Sequence, residues 1–174
     1  SACGFRGIPL AWRSPVGDVH PSFYEPSGFG WLRSFPGGLC VTCGLDQFGN
    51  PVDENDETFG LHGRISNLPA DQLNYRSYWQ GDEYYLEISG QMQQARLFGE
   101  NLLLQRKITT CLGSNRIQLQ DTVSNEGFTS QPHMLLYHCN FGFPLLDENT
   151  KLLIDSEQSL GCDKRADAEL DQWQ

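Results

Sequence analysis

The stretch Pro132–Leu146, PHMLLYHCNFGFPLL, decides how the rest of the chain is read. A period-two strand puts Met134, Leu136, His138 and Asn140 on one face and Leu135, Tyr137 and Cys139 on the other. The first face starts apolar and ends polar, and the run stops in a Gly/Pro turn at Gly142-Phe143-Pro144. Ligand sites on concave sheets are commonly built this way, as an apolar floor with a few polar groups at one end. The pattern predicts one buried strand over 132–140.

Working outward, the preceding segments carry the same period. In 116–124, Ile117, Leu119 and Val123 share a face, between the turns Gly113-Ser114-Asn115 and Asn125-Glu126-Gly127. Residues 101–111 place Leu102, Leu104 and Ile108 together, and 91–98 precede them across the turn Gly99-Glu100-Asn101. Residues 83–89 alternate Tyr84, Leu86 and Ile88 against Glu83, Tyr85, Glu87 and Ser89. Arg96, Arg106 and Arg116 in this region are expected to face solvent. Further out, GLCVTCGL (38–45) reads as a buried strand, and FRGIPLAW (5–12) as a short strand or hairpin end. Trp31–Phe35 reads as one helical turn and KLLID (151–155) as a last strand. Residues 14–30 and 46–60 read as loops, the second acidic.

Strands at roughly ten-residue spacing, with no repeat and no long amphipathic helix, predict an all-β, large antiparallel sandwich. The 18 glycines and 9 prolines fit a chain punctuated by turns. The 174 residues suit one domain, 1–174. The first residues read as the inside of a strand and the last as a polar segment with no closing element, so this domain is expected to be incomplete, truncated at both ends.

Net charge is −10. Phosphate-backbone binding needs clusters of Lys and Arg, so neither nucleic acid nor an anionic membrane is an expected partner. No apolar run approaches a membrane span, and the N-terminus lacks the basic and apolar regions of a signal peptide. The six cysteines (3, 40, 43, 111, 139 and 162) are scattered, which reads as reduced thiols in a cytoplasmic protein.

The candidate chemistry begins with His138, at the polar end of its strand face, where a neutral imidazole can give or take a proton near pH 7. His62 sits before Gly63, whose freedom lets the backbone bend sharply and leave the ring at a corner. The competing reading of every histidine is a core or turn residue bonded to backbone. His20 and His133 stay with that reading. Cys40-Val41-Thr42-Cys43 has the spacing of half a zinc site. It has no second pair, and strand alternation points its thiols to opposite faces, so no metal is expected. The acidic run at 53–57 lacks calcium-loop spacing and reads as solvated. Arg6, Arg33 and Arg64 adjoin glycine or aromatics, where a guanidinium fork can grip vicinal oxygens. Trp12, Phe23, Tyr24, Phe29, Trp31 and Phe35 read equally as a platform for a sugar ring or as plugs in the sandwich rim.

The span Asp121–Leu146 (DTVSNEGFTSQPHMLLYHCNFGFPLL), together with Leu61-His62-Gly63, resembles the aldose 1-epimerase (galactose mutarotase-like) family. GWLRSFPGGLCVTCGL, LHGRISNLPA and YHCNFGFPLLDE are most similar to a bacterial branch of epimerase-like proteins. The likeness runs from about Phe5 to Asp155. It implies a supersandwich with the sugar on a concave sheet and no cofactor. It implies that His138 is the general acid to the ring oxygen. It places His62 on the sugar near that oxygen, with Arg33, or in its place Arg64 or Arg6, gripping hydroxyls and Asn140 alongside. The expected partner is a monosaccharide or sugar derivative. Two features depart from the family: the Cys139-Asn140-Phe141-Gly142 sequence after His138, and the lack of the family's late glutamate base. Asp147 and Glu148, the carboxylates nearest His138 in sequence, are expected at the rim. The expected activity is interconversion of sugar anomers by acid–base ring opening; the alternative is a carbohydrate-binding domain of the same fold without turnover.

Overall fold

Alternating runs joined by tight turns bury their apolar faces by folding back on one another, and this chain does so in two layers. The computed structural model describes residues 2–54, 56–158, 160–161 and 163–169. The first elements are the small hairpin of β1 (Gly4–Phe5) and β2 (Ile8–Pro9). Single 3-10 turns follow at Pro21–Phe23 and Gly30–Arg33, the latter at the expected helical turn. Next come β3 (Cys40–Leu45) and the hairpin β4 (Val52–Glu54) and β5 (Glu57–Phe59). After a 3-10 turn at Ile65–Asn67, β6 (Asp71–Gln80), β7 (Glu83–Ala95), β8 (Asn101–Cys111) and β9 (Ile117–Asn125) form a four-stranded antiparallel sheet in chain order. Finally β10 (Met134–Cys139) returns across the molecule to pair with β3, setting His138 opposite Val41 and Cys139 opposite Cys40.

The β3/β10 ribbon is the second layer of an all-β sandwich. On its inner side Leu45 joins Ile65, Met92, Leu102 and Leu104, with Leu68, Val123 and Leu135 packed around them. On its outer side Val41 and Cys43 pack with Trp31 and Leu61, flanked by Tyr24, Phe35 and Leu136. The ribbon is therefore sandwiched itself, and Cys43 and Leu45 are fully enclosed.

Several expectations are corrected. Residues 83–89 and 91–98 lie mostly on one continuous strand, β7, and β6 was not anticipated. The acidic loop 46–60 contains the β4/β5 hairpin, where the Thr58 hydroxyl donates to the Asp53 carboxylate at 2.7 Å. Residues 151–155 are not a strand: a strand persists through its partner's ladder, and among the described residues nothing pairs with this run, leaving Leu152 and Leu153 exposed. The polar C-terminal stretch does hold a short helix, α1 (Lys164–Glu169), begun by the Asp163 carboxylate accepting from the N–H groups of Arg165 and Ala166. Cys162, read as a reduced thiol, lies outside the described residues. Cys3, Cys40, Cys43, Cys111 and Cys139 are free thiols.

Arg106 does not face solvent. It lies opposite Asp121 in the β8/β9 register and points between the layers. Its guanidinium donates to both carboxylate oxygens of Asp121, at 2.8 and 2.6 Å, and to the Thr42 hydroxyl of β3 at 2.6 Å. The Tyr137 hydroxyl of β10 donates to the same carboxylate at 2.8 Å. The Asp121 side chain is only 3% exposed. Burial alone would raise its pKa, but Arg106 and Tyr137 more than reverse this and hold it below the ordinary carboxylate value. The same burial and the Asp121 carboxylate push the Tyr137 phenol up to about 12. Such a bidentate pair is a polar rivet fastening the β3/β10 ribbon onto the larger sheet. Arg96 and Arg116 conform to expectation, Arg96 half-exposed between Glu57 and Glu100, and Arg116 exposed.

Candidate functional site

His138 reaches the outer face of the ribbon because β10 alternates from Leu136, and the pairing with Val41 fixes its height on β3. His62 arrives from a different direction. Its φ is +60° and that of Gly63 is +71°, a left-handed corner that histidine tolerates better than most side chains and that glycine makes easy. The corner docks on the end of β3 through Gly44 N–H to His62 O (3.1 Å) and Arg64 N–H to Gly44 O (3.1 Å). A Cβ on Gly63 would run into the carbonyl oxygens of Gln47 and Gly44, so the close approach itself requires glycine. The Tyr24 hydroxyl closes the arrangement by donating to Gly63 O at 3.0 Å.

The two imidazoles meet edge to face, with centroids 5.6 Å apart. Trp31 lies 4.7 Å from the His62 ring and 6.2 Å from the His138 ring. Phe35 stacks on Trp31 at 4.4 Å and meets His138 at 5.4 Å. Trp31 is 2% exposed, and its indole N–H donates to the Ser66 hydroxyl at 2.8 Å. It is thus a fixed wall for both histidines. Of the six loop aromatics, Trp31 and Phe35 contact the pair, and Trp12 adjoins Phe35 at 6.0 Å; Phe23 and Phe29 project outward, 73% and 61% exposed.

The two rings are held differently. Gly49 N–H donates to His62 Nδ1 at 3.3 Å, and the His62 backbone N–H donates back to Gly49 O at 2.9 Å. An acceptor at Nδ1 assigns the neutral ring's proton to Nε2, which leaves Nε2–H as a donor. Burial, and secondly the His138 charge, lower the His62 pKa, keeping that ring neutral around pH 7. Nothing in sequence marked Gly49 for this task beyond its place in a Gly-Asn-Pro turn. No side-chain hydrogen bond holds the His138 ring among the described residues, so its nitrogens are available.

The remaining predicted residues divide. Asn140 is buried and adjoins His138, but its amide donates to Gly38 O (2.9 Å) and His138 O (3.0 Å), so it positions the end of the strand. Arg64 is exposed one residue beyond the corner, near Tyr24, whose phenol pKa burial raises and the Arg64 charge only partly offsets. Arg33 is three-quarters exposed at the end of its 3-10 turn and pairs with Glu25 at 3.5 Å; the structure does not bring it into the histidine pair. His20 caps its own turn, Nδ1 accepting from Ser22 N–H at 3.2 Å. Cys40 and Cys43 do lie on opposite faces, Cys43 in the outer core and Cys40 opposite Cys139. Asp147 is taken up by its own turn, accepting from Asn149 N–H at 2.8 Å. A cavity of about 240 Å³ lies between the layers, bounded by Trp31, Phe35, Thr42, Ser66, Met92 and Arg106. Neither histidine lines it, so it is not where a proton from His138 would act.

Against this geometry, the family model described as "Domain of unknown function (DUF4432)" matches residues 1–174. The chain belongs to the DUF4432 family. No curated protein sequence matches this DUF4432 chain. Among solved structures it is similar to that of "a putative aldose 1-epimerase" from Klebsiella pneumoniae subsp. pneumoniae, at 29% sequence identity with a TM-score of 0.75. The match covers 81% of this chain and 37% of that one, so this chain spans little over a third of its solved relative's length. The fold is thus that of an aldose 1-epimerase-like β-sandwich. Among the described residues no helix is long and apolar enough to cross a membrane.

Proposed function

We propose that this domain binds a free monosaccharide at the His62/His138 pair and interconverts its anomers. The observation that carries the reading is the 5.6 Å meeting of two imidazoles far apart in sequence, one with a free ring and one fixed as a donor. Opening a cyclic hemiacetal takes a proton to the ring oxygen and removes one from the anomeric hydroxyl. The aldehyde then rotates, recloses and yields the other anomer. His138 is the acid that protonates the ring oxygen, a task worth about 10²–10⁴-fold for a well-placed group. His62 donates from Nε2 to a sugar oxygen beside it. Trp31 and Phe35 wall the pair, Arg64 grips hydroxyls at the rim in this reading, and the proposed reaction uses no metal or cofactor. The base across the ring is a carboxylate; in the aldose 1-epimerase family a glutamate late in a longer chain has that role. Likeness to the Klebsiella protein over 81% of this chain supports the reading.

Polarimetry of freshly dissolved α-glucose, α-galactose and a panel of other aldoses tests it. A faster approach to anomeric equilibrium for at least one sugar, lost in His138→Asn, is the expected result. Sugar binding with an unchanged rate across the panel would reduce the assignment to a carbohydrate-binding domain. An absence of both would sink it.

A further inference from the structure

Two cysteines far apart in sequence face each other across the β3/β10 ribbon. Cys40 and Cys139 are direct partners in the antiparallel register and so share a face, the one that also carries Thr42 and Tyr137. Asn140 N–H bonds Leu39 O, which makes Asn140/Leu39 a hydrogen-bonded pair. Pair types alternate along an antiparallel ladder, so the next pair, Cys139/Cys40, is non-hydrogen-bonded. Such pairs bring Cα atoms to about 4.5 Å and their side chains closest together. That spacing falls within the ~4.4–6.8 Å range that a disulfide spans. The two side chains are close enough that Cys139, after burial, raises the pKa of the Cys40 thiol. Cys139 is exposed and Cys40 partly so, which gives a reagent access from the Cys139 side.

We propose that Cys40 and Cys139 are a redox-modifiable pair that closes to a cross-strand disulfide when the protein meets a low-molecular-weight disulfide such as oxidised glutathione. The Cys139 thiolate attacks one sulfur of the oxidised glutathione, forming a mixed disulfide and releasing one glutathione thiol. The Cys40 sulfur then attacks Cys139 Sγ, forming the intramolecular bond and releasing the second glutathione. Two protein thiols are oxidised, one glutathione disulfide is reduced, and the two thiol protons leave on the two glutathiones. The order follows from the surroundings: burial, and then the neighbouring Cys139, raise the Cys40 pKa, so the exposed partner reacts first. Cys43 takes no part, being fully buried on the opposite face. The bond would tie β10 to β3 one residue from His138 without touching the histidine's own face.

The test is to incubate the native protein with oxidised glutathione, alkylate remaining thiols, digest with trypsin without reduction and analyse by mass spectrometry. Peptide 34–64, which holds Cys40 and Cys43, is expected joined to peptide 117–151, which holds Cys139, with the intact protein lighter by two hydrogens. The linkage is expected to survive in Cys43→Ser, to vanish in Cys40→Ser and Cys139→Ser, and to be reversed by dithiothreitol. In Cys40→Ser the glutathione adduct should instead accumulate on Cys139. A stable glutathione adduct on Cys139 in the unsubstituted protein, a linkage that persists in Cys40→Ser, or Cys40 and Cys139 both recovered alkylated after treatment would each overturn the proposal.

Discussion

The two faces of the β3/β10 ribbon make a contrast within one pair of strands. On the inner face, polar groups satisfy one another: Arg106, Asp121, Thr42 and Tyr137 form a closed set spanning both layers. On the outer face, His138 is presented beside His62 against aromatic rings, with its own hydrogen bonds unmade among the described residues. A closed polar set resists change and fixes geometry; an open one is free to meet a ligand. The inner face thus holds the ribbon in place, and the outer face uses that fixed position to aim an imidazole.

The difference can be broken most forcefully from the inner side. Arg106→Ala leaves the Asp121 charge buried without its partner and is expected to cost about 3–5 kcal/mol in denaturant unfolding. Replacing both members together, Arg106→Met with Asp121→Leu, should recover much of that loss, since no charge is then stranded. A loss below about 1 kcal/mol for Arg106→Ala would mean the inner set is not the fastening. His138→Asn should do the reverse: turnover falls about 10²–10⁴-fold with sugar affinity little changed, and stability moves by no more than about 1 kcal/mol. His62→Asn, chosen because asparagine accepts a positive φ, should weaken both binding and turnover.

The corner between the faces gives a smaller effect. Gly63→Ala forces a left-handed alanine against two carbonyl oxygens and should destabilise the fold by at least about 1 kcal/mol. It should also displace His62, so sugar affinity falls with it. The smallest effect is in pH. Because the folded state lowers the His62 pKa, the unfolded chain binds that proton more tightly. The stabilising contribution is whole above the ordinary value of 6.5 and is lost as pH falls through the folded value. Thermal midpoints measured from pH 8 to pH 5 should therefore drop more steeply for the unsubstituted protein than for His62→Asn; parallel curves would remove His62 from that account.

The outer face was largely legible in sequence, and the inner one was not. Alternation along 132–140 put His138 on the correct side, and the resemblance put His62 with it, because a period-two pattern and a His-Gly corner are local signals. Arg106 shows where reading by residue type misleads. Its parity in β8 is that of Leu102, Leu104 and Ile108, so alternation already directed it inward; its charge argued otherwise, and only the register with Asp121 resolves the conflict. β6 escaped notice because it is an edge strand, polar at Asn74, Arg76 and Gln80 and exposed along most of its length. Residues 151–155 have strand-like composition, but pairing depends on a neighbour, which composition does not supply. The packing of Trp31 against both histidines, and Gly49 as the setter of the His62 tautomer, arise from loops whose paths no local pattern encodes.

The central claim is that His62 and His138 face one sugar site. Imidazole NMR resonances of both histidines, followed while α/β-glucose, galactose and further aldoses are titrated in, test it most directly. At least one sugar is expected to move both sets of resonances along the same saturation curve, and His62→Asn should weaken the response of His138. If no sugar in the panel moves either ring, or if one ring responds while the other stays still, the two histidines do not form the site described.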